Sequence, residues 1–410
     1  MNWKDKNVLI TGIGGFAGSY LAKELVSREA NVYGLIRRRA DGTTAKNIID
    51  RRISNEVNLI EGDLIDITSL TNALDHSQPD YIFHLAAQSF VERSFDNSQE
   101  TQNINCIGTS NLLEAVRIKD SDTKIVFAGS SEEYGLVLSS QEQYEKAKKD
   151  YGTIFPEPEV IPEVPITETN PLRPMSPYAV SKVYGDYLMR NYYHSYGLDT
   201  VVSRAFNHEG AGRGIMFVTS VVTNQIMKLK SGESDRIVIG NLNSLRDWSH
   251  VKDIVQGYLL LAEKGQAGEV YNQGSMRTNS VLSYILLGLE EAGWDVNRIE
   301  TFKGDKQIQD PNEMDNSSIY GVKFPKTKVD QLILEGQLEY TLEDKGIKVN
   351  TTHGDVTIEF NPDRFRPAEV PILFADTKKI QSIGSKIDYT LNDILKDQLN
   401  YFLKKENRSA

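Results

Sequence analysis

A short apolar run, Asn7-Val8-Leu9-Ile10, leads directly into Thr11-Gly12-Ile13-Gly14-Gly15-Phe16-Ala17-Gly18, and residues 17–28 then keep helical spacing with Leu21, Leu25 and Val26 on one face. Few folds accommodate that order. Glycines at 12, 15 and 18 permit a tight turn, close approach of backbone to an anion, and close packing of helix on strand. The helix start supplies free N–H groups at the same point. A glycine pattern alone is a weak signal, and an incidental glycine-rich turn is the competing reading. The strand before it and the helix after it supply the context that a dinucleotide site requires. Gly12, Gly14, Gly15, Phe16, Ala17 and Gly18 are therefore expected to cradle a pyrophosphate.

The alternation continues along the chain. Asn31–Ile36, Asn58–Glu61, residues 80–85, Lys124–Ala128 and residues 201–206 read as further short buried strands separated by helical patterns. Such an order implies right-handed crossovers and an α/β fold, a Rossmann-type doubly wound parallel sheet covered on both faces. Ligands sit at the carboxyl ends of its strands. At 410 residues the chain is long for one core. Residues 1–172 are expected to form the cofactor-binding domain, which also receives parts of 173–206 and 246–272. Residues 207–410 are expected to form mainly a smaller C-terminal α/β substrate-binding lobe, with an insertion near 302–357. Two stretches break the pattern: 136–165, with a charged run and then a proline-bearing run, and 302–357, polar until residues 354–360 alternate like a strand. Both read as surface excursions, such as a lid or an oligomer contact, or as insertions with no role.

Composition narrows the function classes. The net charge of −11 argues against general nucleic-acid binding and confines any phosphate site to a local basic pocket. A single cysteine, Cys106, excludes an intramolecular disulfide and fits a cytoplasmic location. No apolar run is long enough to span a bilayer, no signal peptide is evident, and no metal-ligating constellation stands out.

The second strand ends in Leu35-Ile36-Arg37-Arg38-Arg39. An acid usually stands there when the ribose 2′-hydroxyl of NAD is bound. Arginines instead can pair a 2′-phosphate, so Arg37 and Arg38 point to NADP, a solvated basic turn being the alternative. Pro177-Tyr178-Ala179-Val180-Ser181-Lys182 opens a helix and puts Tyr178 and Lys182 on one face. A nearby ammonium is expected to lower the phenol's proton affinity, so that it acts as a base toward a hydroxyl. That spacing is common, and ordinary packing residues would share it. It gains weight from Gly129-Ser130-Ser131-Glu132-Glu133-Tyr134-Gly135 directly after the fifth strand. There Ser130 offers a hydroxyl to an oxygen being oxidised, and Glu132 a base for a carbon beside a new carbonyl.

With these pieces the chain resembles the extended short-chain dehydrogenase/reductase family, and within it the GDP-mannose 4,6-dehydratases. The matching segments run from the glycine loop through His84-Leu85-Ala86-Ala87-Gln88-Ser89, Ser131-Glu132 with Tyr134-Gly135, and Ser176-Pro177-Tyr178 with Lys182. They continue through Phe206-Asn207-His208-Glu209, Phe217-Val218-Thr219, Arg246-Asp247-Trp248 and Phe365-Arg366-Pro367-Ala368-Glu369-Val370. The resemblance implies a nucleotide-sugar substrate and a catalytic set of Ser130, Glu132, Tyr178 and Lys182. It places Asp63 and Leu64 at the adenine, and Leu85, Ala86, Ala87 and His208 along the cofactor. It places Ser89, Asn207 and Val218 at the substrate, Arg246 and Arg366 at the diphosphate, and Glu369 at the ribose. A homo-oligomer, dimer or tetramer, is implied as well. Val221 stands where the family usually carries a basic residue, and the segment after Arg39 is short. A 4-keto-6-deoxy sugar reductase or a 4-epimerase would use the same scaffold without needing Glu132. A non-catalytic NADP-sensing protein could dispense with Tyr178 or Lys182.

Overall fold

The computed structural model describes residues 2–366 and 368–408. A seven-stranded, fully parallel sheet organises the first two thirds of the chain. Its strands are β1 (Asn7–Thr11), β2 (Asn31–Ile36), β3 (Asn58–Glu61), β4 (Tyr81–His84), β5 (Lys124–Ala128), β6 (Thr200–Ala205) and a seventh, Val270–Gln273. In space the order is seventh, β6, β5, β4, β1, β2, β3. The chain therefore starts in the middle and winds outward both ways, leaving a crevice beyond the carboxyl ends of β1 and β4. The alternation of β1 explains its apolar run: Val8 and Ile10 join the core on one face, and Leu9 joins that on the other. Helix α1 (Phe16–Ser27) buries Leu21 and Leu25 fully, while Val26 is only half-buried. The seventh strand has no counterpart in the sequence reading. Val270–Gln273 is four residues long and half polar, and it is buried because the sheet and a helix close over it.

A second sheet of five strands has its own apolar core. Its order is Gln307–Gln309, Val296–Thr301, Gly346–Thr351, Gly354–Phe360 and Arg236–Ile239. The stretch 302–357 thus contributes more than a surface excursion. Gly346–Thr351 is the central strand, with Ile347 and Val349 fully buried. In the other interrupting stretch, Gln141–Tyr151 is a surface helix capped by Ser140. The loop after it is pinned rather than free. Arg173 Nη1 lies 2.8 Å from Glu163 Oε2, both side chains buried, and also donates to Leu136 O.

The helix Pro177–Tyr196 follows from its ends. Ser176 accepts from Ala179 N, Pro177 occupies the first turn, and Gly197 closes it at φ 75°. Those signals fix the rotation of Tyr178 and Lys182 toward the carboxyl end of β5. Among the described residues no helix is long and apolar enough to cross a membrane.

Candidate active site

The carboxyl ends of the parallel strands open into one cleft of about 1560 Å³ that runs on to the second sheet. Every candidate site residue lines it, from Gly12 at one end to Glu369 at the other. At the cofactor end Gly12 has φ 78°, and a Cβ there would meet Ala86 N at 2.8 Å. A Cβ on Gly18 would lie 2.3 Å from Gly12 O. Gly15 N donates to Gly12 O at 2.9 Å, closing the turn. No side chain caps the first turn of α1, so the N–H groups around Phe16 and Ala17 face the cleft. That is the donor set an anion requires. Thr11 Oγ1 sits 2.7 Å from His84 Nδ1 and accepts from Ala86 N at 3.2 Å, which ties the loop to Leu85, Ala86 and Ala87. Arg37 and Arg38 leave β2 exposed at the cleft mouth. Asp63 and Leu64 follow β3, and Asp63 accepts from Ile65 N. An anionic dinucleotide fits these residues.

At the centre, Ser130 follows β5 and caps the single turn Ser131–Glu133. Its hydroxyl accepts from Glu132 N at 3.2 Å, while Glu133 Oε1 accepts from Ser130 N at 2.7 Å. This presents Ser130 and Glu132 to the cleft beside Tyr178. Burial pushes the Tyr178 phenol up to about 12; the Ser130 hydroxyl pulls it down, and the charges of Glu132 and Glu133 raise it. The net shift is upward, opposite to the lowering expected beside the Lys182 ammonium. Lys182 Nζ turns to Ala128 O at 2.6 Å and stands 5.9 Å from the Tyr178 ring centre. Burial in turn pulls Lys182 down to about 8, with Glu133 opposing. Burial holds the His84 imidazole down to about 3 and that of His208 to about 4, so both are neutral above those values.

At the far end, Ser89 is exposed, and Val218 opens the helix Val218–Lys230, which has no side-chain cap. Asn207 Oδ1 is buried without a hydrogen-bond partner among the described residues. Arg246 donates to Val370 O and to Glu369 Oε1, each at 2.7 Å. Arg366 Nη1 is 3.9 Å from the same carboxylate oxygen. Burial works against the Arg366 charge, but Glu369, Glu132 and Glu92 raise its affinity for the proton. Arg366 thus shares the cleft with Glu132 and Glu369. Pro367, inside that motif, lies outside the described residues.

Arg213 belongs to the same cleft and escaped the sequence reading. Its guanidinium stacks 3.6 Å from the Phe217 ring centre and 5.2 Å from that of Phe16, and Nε is 3.5 Å from buried Glu209. Its charge acts on both Tyr178 and His208. Its surroundings, Gly210-Ala211-Gly212-Arg213-Gly214, carry no local pattern beyond glycines. Among the described residues no group of three His, Cys, Asp or Glu side chains could hold a metal ion.

Fold and cleft together define a protein of the extended short-chain dehydrogenase/reductase class, built around a nicotinamide-dinucleotide crevice. The chain belongs to the NAD dependent epimerase/dehydratase family, which matches residues 8–274. It is 31% identical to a GDP-mannose 4,6-dehydratase of Vibrio cholerae, over 99% of this chain and 96% of that protein. Two solved structures share the fold. RMD from Pseudomonas aeruginosa complexed with NADPH superposes with a TM-score of 0.64 at 21% identity, covering 97% of this chain and 99% of that one. A double mutant of DesIV, a dTDP-glucose 4,6-dehydratase from Streptomyces venezuelae with NAD and DAU bound, superposes with a TM-score of 0.67 at 20% identity, covering 97% of each chain.

Proposed function

We propose that the protein is an NADP-dependent nucleotide-sugar 4,6-dehydratase whose substrate is a GDP-hexose, GDP-mannose first among them. The observation that carries this reading is Glu132 in one cleft with Ser130, Tyr178 and Lys182. An oxidation or epimerisation at C4 needs only the last three. A carboxylate beside them supplies the base for a C5 proton. The likeness to dehydratases across nearly the whole chain supports the same reading.

In the proposed reaction Ser130 donates a hydrogen bond to the C4 oxygen, and Tyr178 accepts the C4 hydroxyl proton. The bound nicotinamide cofactor would supply the hydride exchange, leaving C4 and returning to C6, so no net redox change occurs. Lys182 would hold the nicotinamide ribose, and its ammonium beside Tyr178 would work against the burial that keeps the phenol protonated. The 4-keto group acidifies C5, Glu132 takes that proton, and the same proton leaves with the C6 hydroxyl as water. Glu132 then passes a proton drawn from solvent to C5 as the hydride returns to C6, while Tyr178 gives up its C4 hydroxyl proton to solvent. Gly12, Gly14, Gly15, Phe16, Ala17 and Gly18 would hold the pyrophosphate of the cofactor, with Leu85, Ala86, Ala87 and His208 along its length. Asp63 and Leu64 would meet the adenine. Arg37 and Arg38, with no acid at the end of β2, support NADP over NAD. Arg246, Arg366 and Arg213 would neutralise the substrate diphosphate. Ser89, Asn207 and Val218 would contact its sugar and phosphate, and the free oxygen of Glu369 would meet the ribose.

The test is a panel of nucleotide sugars incubated with protein and NADP, read by mass spectrometry. Loss of one water from a GDP-hexose is expected. Reduction of a 4-keto sugar with NADPH, without water loss from any substrate, would favour a reductase and overturn the reading.

A further inference from the structure

Beneath the Ser130–Glu132 turn lies a charged cluster that this reaction does not use. Glu133 and Asp186 are fully buried, and Arg204 is 2% exposed. Arg204 Nε lies 2.9 Å from Asp186 Oδ2 and 3.2 Å from Glu133 Oε2. Two carboxyls share one buried guanidinium. Asp186 has a second cation, since Arg190 reaches its Oδ1 at 3.5 Å from the solvent side. Glu133 has instead the Ser130 N–H on Oε1, and its Oε2 makes no hydrogen bond among the described residues.

The other buried cation beside Glu133 is Lys182. Its Nζ holds Ala128 O, while Glu133 holds Ser130 N–H, so the two charges grip consecutive peptide units on either side of Gly129. The carboxylate lies against Gly129 itself, where a Cβ would come within 2.7 Å of Glu133 Oε1. Unpaired buried charges are costly, and a counter-charge at this range removes much of that cost. Lys182 and Arg204 face Glu133 and Asp186, with Arg190 reaching Asp186 from the solvent side.

We propose that Glu133 is a positioning residue: its buried carboxylate is the counter-charge that keeps Lys182 an ammonium, and its bond to the Ser130 N–H holds the turn that carries Ser130 and Glu132. The electrostatics agree. Burial draws the Lys182 ammonium down; Glu133 opposes this most, followed by Cys106. His84 faces Lys182 from β4 as a neutral imidazole, and Tyr178 faces it from its own helix. Around Glu133, burial and Asp186 raise the carboxyl to about 8 against Arg204 and the Ser130 N–H, so its charge appears over the same pH range in which Lys182 would lose its own. Lys182 and Glu133 therefore titrate as a pair.

The inference rests on the reading of the cleft given above, so its deciding readout is a titration and not turnover. Lysine side chains in the full chain are labelled with ¹⁵N, and the Lys182 Nζ titration is followed by NMR, assigned with Lys182→Arg. Glu133→Gln keeps an acceptor for Ser130 N–H and removes the charge; the Lys182 midpoint should fall by about one pH unit. Asp186→Asn removes an equal charge from the Arg190 side and should not lower the midpoint. Glu133→Asp keeps the charge but withdraws it from Ser130; the midpoint should hold while turnover falls. An unchanged midpoint in Glu133→Gln, or an equal fall in Asp186→Asn, overturns the proposal whatever the enzyme's substrate. Should Glu133→Gln not fold, the Asp186→Asn and Glu133→Asp midpoints decide by the same criteria. A dehydratase assay that fails while the midpoint shifts as stated would overturn the functional reading and leave this one standing.

Discussion

Gly18→Ala tests the cofactor loop at its tightest point. A Cβ on residue 18 would lie 2.3 Å from Gly12 O and 3.0 Å from Ile13 Cα, where ordinary contact begins at 3.4 Å. The turn and α1 must therefore part by roughly an ångström in a close-packed interior. Gly12 cannot retreat the other way, because its own missing Cβ already faces Ala86 N at 2.8 Å. Overpacking of this kind costs about 1–3 kcal/mol. It is offset by the ~1 kcal/mol that alanine gains over glycine within a helix. The fold should survive with a melting temperature a few degrees lower. Cofactor binding should suffer more. Shifting the turn by an ångström takes at least one N–H out of reach of a phosphate. A hydrogen bond to a charged group is worth about 1.5–3 kcal/mol, which amounts to ~10–150-fold in Kd. Isothermal titration of NADP into stripped protein reads the affinity, and scanning calorimetry reads the fold. Wild-type NADP affinity in a variant that melts lower would refute the argument, because residue 18 would then serve packing alone.

Three further outcomes follow from the same geometry. Arg37→Ala with Arg38→Ala should weaken NADP at least tenfold, the loss of one charged hydrogen bond, and leave NAD binding unchanged; equal losses for both cofactors would exclude 2′-phosphate recognition. Arg366→Ala should raise KM for the nucleotide sugar by ~10-fold or more while kcat stays within a few-fold, so unchanged substrate affinity would remove Arg366 from the substrate site. His84 and His208 titrate at about 3 and about 4 in the folded chain against 6.5 for the free group; the unfolded chain thus takes up protons first, and stability present above pH 6.5 is lost progressively as pH falls toward 4. Thermal melts from pH 7 to 4 should show that slope, flattened in His84→Gln, and an identical slope in the variant would contradict it.

The parallel sheet was legible because its inner strands are largely buried on both faces and stand out as short apolar runs, whereas β3, Asn58–Glu61, is an edge strand only half-buried. The seventh strand did not stand out, since Val270–Gln273 carries Asn272 and Gln273, which are buried by tertiary packing rather than by their own polarity. The strand Gly346–Thr351 does alternate, with Ile347, Val349 and Thr351 inward, but the polar residues around it hid that period. Within the site, glycine spacing and the Tyr178–Lys182 helix register are local signals and could be read directly. Arg213 could not, because its place depends on Phe16, Phe217 and Glu209 meeting across the cleft. The lowered Tyr178 proton affinity failed for a related reason. Helical spacing brings Lys182 near the ring, but burial of the phenol, which the spacing does not reveal, sets the net shift.

On the proposed reading, Glu132 separates a dehydratase from a 4-keto sugar reductase or a 4-epimerase on the same scaffold. Glu132→Gln keeps the side chain's shape and removes its basicity, leaving Ser130, Tyr178 and Lys182 in place. Loss of a positioned base costs about 10²–10⁴-fold. The decisive measurement is solvent deuterium incorporation at C5, run in deuterated water with NADP and GDP-mannose and read by NMR and mass spectrometry. Wild type should place deuterium at C5 of a 4-keto-6-deoxy product. Glu132→Gln should bind NADP and substrate, show reduced cofactor transiently by absorbance, and exchange C5 at least ~100-fold more slowly. Product formed by Glu132→Gln at the wild-type rate, or a wild type that never exchanges C5, would contradict the account.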